Sequence, residues 1–138
     1  MSQLIRFSEQ ATIAIHAMTH LASTGPEQLA TLKVMAAAYK VSEAHLAKVM
    51  LRLGKAGLVR AVRGPQGGYA LSGTPEETTL LQVYEAIEGE VVPSACLFRR
   101  PVCAAGACDL GNLVCSLETR LRDYMARTSL SAMVGTPA

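Results

Sequence analysis

Four cysteines, Cys96, Cys103, Cys108 and Cys115, fall within twenty consecutive residues at spacings of x6, x4 and x6. Thiolates are soft ligands, and three or four of them in one loop suit an iron–sulfur cluster (2Fe–2S or 4Fe–4S), whose potential depends on ligation and exposure. Four thiolates also satisfy a tetrahedral zinc site, but zinc favours knuckles with cysteines about two to four residues apart, which this spacing lacks. Bare redox-active thiols are the third reading. Cys115 raises a geometric question. If a helix runs on from Cys108, seven residues rise ~10.5 Å, whereas a disulfide needs Cα atoms within ~7 Å. Pairing these two would unwind a turn, and joint ligation of one small cluster is similarly strained. Cys115 therefore reads either as a small, partly buried hydrophobe or as a fourth ligand.

The chain that must position these sulfurs has 138 residues, half of them hydrophobic, which suits one compact unit. No apolar run approaches the ~20 residues needed to span a bilayer. Met1 to Arg6 lacks the apolar block of a signal peptide. A cytoplasmic protein with no membrane role is expected, and there clustered cysteines bind metal or sense redox more often than they form disulfide frameworks. The net charge of +2 is unevenly spread: residues 31–69 hold Lys33, Lys40, Lys48, Arg52, Lys55, Arg60 and Arg63 against Glu43 alone, +6 in total, leaving −4 elsewhere. Such asymmetry marks a polyanion-binding face; the plainer reading is a solvated helix face.

Hydrophobic spacing sets out the elements. Ser8 can cap a first helix with Ile13, Ala14, Ala17, Met18 and Leu21 on one stripe, ended by Gly25-Pro26. A second helix runs from about Ala30 to Tyr39. Lys40-Val41 is a tight connection, and Ser42 caps a third helix that buries Leu46, Val49, Met50 and Leu53 and closes at Gly57. Residues 58–62 alternate as a strand. Residues 63–68, Arg-Gly-Pro-Gln-Gly-Gly, form a turn, and Tyr69-Ala70-Leu71 returns as the partner strand. Two helices a few residues apart, followed by a two-stranded ribbon, make a winged helix-turn-helix, mainly α with a small β wing. Thr79 caps a fourth helix with Leu80, Val83, Tyr84 and Ile87 inward. From about Asp109 a long helix carries Leu110, Leu113, Val114, Leu117, Leu121, Tyr124 and Met125 in a coiled-coil-like seam. That seam fits a homodimer; its alternative is packing on the first helix of the same chain. The expected organisation is a DNA-binding region at 1–89, a cysteine-containing sensor loop at 90–108, and a dimerisation helix with a C-terminal tail at 109–138.

A recognition helix meets base edges through its first residues, here Ser42 and His45, with Lys48 and Arg52 farther along the same face toward phosphate. Arg63 at the wing tip can enter a narrow minor groove, and Gly64, Gly67 and Gly68 allow the backbone close to the duplex. Two such modules about a two-fold axis imply palindromic double-stranded DNA. His16 and His20, one turn apart, can pair on a metal or face solvent or an interface.

Gly57-Leu58-Val59, then residues 62–69, Val-Arg-Gly-Pro-Gln-Gly-Gly-Tyr, resemble the wing signature of the Rrf-two family of bacterial regulators, which includes IscR-, NsrR- and CymR-like proteins. Phe7 to Ala11, Glu85 to Gly89 and Thr128-Ser129-Leu130 extend the resemblance over about residues 4–134. It implies a homodimeric winged-helix transcription factor that reads DNA through the positions of Ser42, His45, Lys48 and Arg63. Its cluster-binding members hold an iron–sulfur cluster on three loop cysteines, here Cys96, Cys103 and Cys108. The fourth ligand varies and can come from the partner's first helix, where Glu9 takes the place of an acidic ligand; otherwise Glu9 stabilises a helix N-terminus. There are departures. The second cysteine gap is short, Gly111 stands where IscR-like members have a histidine, Ala47 replaces a recognition-helix glutamate, and Cys115 is an addition. The expected function is a DNA-binding repressor sensing iron–sulfur status, redox state or nitric oxide. The alternatives are a cluster-free regulator controlled by thiol oxidation, a metabolite or a protein partner, and an iron–sulfur carrier or oxidoreductase. No Cys-x-x-Cys pair, nucleotide loop or triad favours an enzyme.

Overall fold

The computed structural model describes residues 5–25, 27–97 and 108–134. Pro26, Pro101, Cys103 and Gly106 lie outside them. Helix α1, Glu9–Thr24, starts where the Ser8 hydroxyl accepts the Ala11 N–H at 3.1 Å and stops at Gly25, φ 85°. Its buried stripe is the one the spacing indicates, with Ala11 added. Helix α2, Leu32–Tyr39, begins two residues later than the sequence suggests. Thr31 is its cap, accepting the Val34 N–H at 3.2 Å, and Ala30 is held out of the helix by a two-way backbone bridge to Tyr69. Lys40 then takes the left-handed conformation, φ 56°. Ser42 caps α3, Glu43–Lys55, by accepting the His45 N–H at 3.1 Å. These two short caps complete the helix-turn-helix.

Strands β1, Val59–Val62, and β2, Gly68–Leu71, pair antiparallel in the register Val59 to Leu71 through Val62 to Gly68. Their turn is glycine-dependent. Gly64 has φ 115°, and a methyl group on Gly67 would lie 2.1 Å from the Val62 carbonyl oxygen. The Ala30–Tyr69 bridge anchors the wing to the connection between α1 and α2.

Helix α4, Leu80–Glu88, opens with a full capping box: the Thr79 hydroxyl accepts the Gln82 N–H at 3.2 Å, and Gln82 Oε1 accepts the Thr79 N–H at 2.9 Å. The chain returns to this point after α5, Asp109–Arg127, and the short α6, Leu130–Val134. Leu80 N–H donates to the Thr128 carbonyl and Leu130 N–H to the Thr78 carbonyl, each at 2.9 Å, and the Leu130 side chain is fully buried. Tyr84 on α4 donates to the Arg6 carbonyl at 2.7 Å, accepts the Arg6 N–H at 3.0 Å and meets the Phe7 ring edge-on, so the segment before α1 is fastened too. Burial pushes the Tyr84 phenol above its ordinary pKa. Met18, Met35, Leu46, Met50, Leu53, Val83 and Met125 fill the one core, with α1 packed on α3, α4 and α6.

Helix α5 packs against α4, and its apolar seam divides into two edges. Val114 and Met125 are buried and Leu121 is half-buried on the inner edge, whereas Leu110, Leu113, Leu117 and Tyr124 are 50–58% exposed on the outer one. A 3.6-residue period cannot hold all seven positions on one line against α4. No described helix is long and apolar enough to cross a membrane.

The capping box gives a direct check. Thr79→Ala removes an N-cap worth about 1 kcal/mol, so the urea midpoint should fall by that equivalent with an unchanged slope.

Candidate nucleic-acid interface and cysteine centre

The buried stripe of α3 turns its opposite face outward. Ser42, His45, Lys48 and Arg52 are all exposed there. The Ser42 oxygen is engaged as the helix cap, which leaves its O–H free to donate. His45 and Lys48 share the rim of a ≈140 Å³ depression with Glu9, Gln10 and Ile13 of α1. Arg52 donates one guanidinium N–H to Gln10 Oε1 at 2.9 Å and keeps its other donors available. Gln10 is thus a site residue that the sequence did not flag; its partner lies 42 positions away, and no local pattern links them. Leu51, Lys55, Ala61 and Tyr69 line a second, ≈430 Å³ groove between α3 and the wing.

Arg63 is exposed at the wing tip, where the Gly64 to Gly67 turn closes through a 2.9 Å backbone hydrogen bond. Arg60 is exposed on β1. Lys48, Arg52, Lys55, Arg60 and Arg63 have no carboxylate within ion-pair distance among the described residues. The face therefore presents unneutralised positive charge, which suits a polyphosphate.

The cysteines frame one end of α5. Cys108 is its N-cap, with Sγ accepting the Gly111 N–H at 3.2 Å. On the facing segment the Ser94 hydroxyl braces Cys96, accepting its N–H and donating to its carbonyl, both at 3.2 Å. The Ala95 carbonyl oxygen lies against Gly111: a methyl group there would be 1.8 Å from it and 3.3 Å from Cys108 Sγ. Cys115 is half-buried on α5, one turn beyond Gly111. Cys96, Cys108 and Cys115 are free thiols. Among the described residues no three His, Cys, Asp or Glu side chains converge on one metal position; Cys103 lies outside them. The sulfur donors and the N–H aimed at Cys108 are chemistry that suits a thiolate-held cluster. Ser94 and Gly111 are the residues sequence reasoning missed or read only as a missing ligand, because their importance lies in through-space contacts.

Glu9 is exposed on the first turn of α1, with Gln10, Ile13, His45 and Lys48 as its pocket-mates in the same chain. His16 and His20 both stand edge-on to the Tyr39 ring, at 5.5 and 5.8 Å between centroids, and His16 Nδ1 donates to the Thr12 carbonyl at 2.7 Å. Both imidazoles thus help pack α1 on α2.

A family model described as "Rrf2: Iron-dependent Transcriptional regulator" matches residues 7–136. An NsrR transcriptional regulator of Shouchella clausii is 30% identical over 113 residues, spanning 82% of this chain and 72% of that protein. An IscR transcriptional regulator of Pectobacterium carotovorum is 28% identical over 130 residues, 94% and 79% of the two chains. Three further relatives are matched over 53% or 59% of their own length. The solved structure of CymR, the global cysteine regulator of B. subtilis, superposes with a TM-score of 0.83 at 23% identity, covering 96% of this chain and 98% of that one. That likeness shows the winged-helix fold.

Proposed function

Because this chain belongs to the Rrf-two family of transcriptional regulators, we propose that it is a homodimeric repressor whose operator affinity is set by an iron–sulfur cluster on its loop cysteines. DNA-binding regulation is the family's activity; the relatives are regulators and not enzymes. The observation that carries the finer reading is the placement of Cys108. It caps the same helix whose outer edge, Leu110, Leu113, Leu117 and Tyr124, is open to a second copy. A change at the sulfur therefore acts on the first turn of the dimerisation helix. Cytoplasmic placement follows, since a regulator works where its DNA is.

In this reading Ser42 and His45 meet base edges or phosphates, Lys48 and Arg52 meet phosphates, and Arg63 with Gly64 and Gly67 presses the wing to the minor groove. Two copies read a palindrome with half-sites ~34–36 Å apart or a multiple of that. Cys96, Cys103 and Cys108 would hold the cluster, with Glu9 of the partner subunit or Cys115 as the fourth ligand. When bound, the cluster supplies a centre that reacts with oxidants or nitric oxide. The chain itself supplies the response. Cys108 orients the start of α5, α5 rests on α4, and α4 is joined to α1 through the Ser8–Glu88 hydrogen bond. Gln10 of α1 then grips Arg52 of the recognition helix. The rival reading is control by thiol oxidation without a cluster, for which half-buried Cys96, Cys108 and Cys115 supply the sulfurs.

Three outcomes check this. Lys48→Ala and Arg63→Ala should each weaken duplex binding and each lower the log K against log[salt] slope by about two, one for each copy in the dimer, measured by fluorescence anisotropy across a salt series. Leu113→Glu with Leu117→Glu should convert a dimer to a monomer in sedimentation equilibrium; an already monomeric parent refutes the dimer. Anaerobically purified protein should carry iron, sulfide and visible absorbance, and its operator affinity should differ from that of metal-free protein by roughly 5–150-fold. Colourless protein favours the thiol reading, and equal affinities reject cluster control.

A further inference from the structure

Backbone, not side chains, closes the neck of the cysteine loop. A methyl group on Gly111 would lie 1.8 Å from the Ala95 carbonyl oxygen and 2.8 Å from its carbon, distances no real side chain tolerates. These are main-chain atoms, so relief requires moving the whole 94–96 segment off α5. The same methyl would sit 3.3 Å from Cys108 Sγ, so the Ala95 carbonyl and that sulfur are neighbours across one bare position. Cys96 follows Ala95 directly and is locked to Ser94 by two hydrogen bonds, so it moves with Ala95. Gly111 is helical and buried, without a positive φ; space rather than backbone conformation requires it. Glycine weakens a helix relative to alanine, and this close approach is the compensating cause.

We propose that Gly111 is the positioning residue of the cysteine centre: its missing side chain seats the Ala95 carbonyl on the first turn of α5 and thereby sets Cys96 beside Cys108. Position 111 accordingly contributes no ligand of its own, and a histidine placed there displaces Cys96 instead of joining the sulfurs. This role rests on the cluster reading for its purpose, and on chain geometry alone for its existence.

The test uses full-length, metal-free protein carrying Cys103→Ser and Cys115→Ser, with dibromobimane, a short reagent that fluoresces when it bridges two thiols. Cys96 and Cys108 should bridge at least tenfold faster than Cys96 and Cys115 do in a Cys103→Ser, Cys108→Ser protein. Gly111→Ala and Gly111→His should each slow the 96–108 bridge tenfold or more. Thr79→Ala, which loosens the fold elsewhere, should leave the rate unchanged. Unchanged bridging in Gly111→Ala overturns the proposal. If the Gly111 variants do not fold, equal rates for the two cysteine pairs in the glycine protein overturn it. Reconstitution of the four-cysteine protein with iron and sulfide, followed by absorbance, is read separately. Fast, Gly111-dependent bridging without uptake of iron removes the cluster reading and leaves the role of Gly111 standing.

Discussion

Leu46, Val49, Met50 and Leu53 fasten the recognition helix to the core, each at most 1% exposed. Burial of such side chains contributes about 1.5–3 kcal/mol apiece, and the four together far outweigh any single polar contact α3 makes. This one stripe fixes the rotation of α3, and the rotation decides what faces outward. Ser42, His45, Lys48 and Arg52 can present donors and charge to a duplex because the opposite residues cannot leave the core. The wing depends on the same anchor, since β1 follows α3 directly and the Ala30–Tyr69 bridge holds β2 against the segment entering α2.

Helix α5 serves two surfaces at once. Its inner edge completes the core through Val114, Leu121 and Met125, while four large apolar side chains stay outside. Exposed apolar residues scattered singly are ordinary, but a stripe at helical spacing marks a docking face. The same helix starts at Cys108 and is tied at its far end by α6, whose Leu130 is sealed beneath the α4 cap. A shift at the first turn therefore cannot be absorbed by sliding at the last.

Much of this was legible in the sequence wherever the governing interaction is local. Ser8, Ser42 and Thr79 cap the helices their side chains suggest, and Gly64 and Gly67 make the wing turn their type demands. The misreading of α2 has a non-local cause: Ala30 suits a helix, but Tyr69, far along the chain, takes its backbone groups. The seam of α5 read as one face because periodicity alone does not say which neighbour each residue meets. The Arg52–Gln10 bond and the seating of Ala95 on Gly111 join segments remote in sequence, and no propensity or spacing marks them. Gly111 read as an absent ligand when its physical content is an occupied space.

Control of affinity does not require the core to move. Regulatory coupling typically amounts to about 1–3 kcal/mol, and a hydrogen bond contributes about 0.5–1.5 kcal/mol net, more with a charged partner. Val91 N–H held by Glu85 at 2.7 Å, Ser8 donating to Glu88, and Arg52 donating to Gln10 form a partly exposed set between the start of the cysteine loop and the recognition helix. Rearranging two or three of these matches the energy regulation needs, whereas exposing the four side chains of the α3 stripe costs about 6–12 kcal/mol at about 1.5–3 kcal/mol apiece. The lower-cost route for such control would run through this polar set, with the apolar stripe keeping α3 fixed on the core. His45 and Lys48 border the same depression as Glu9 and Gln10, so a change in that set would reach the recognition face with the fold intact.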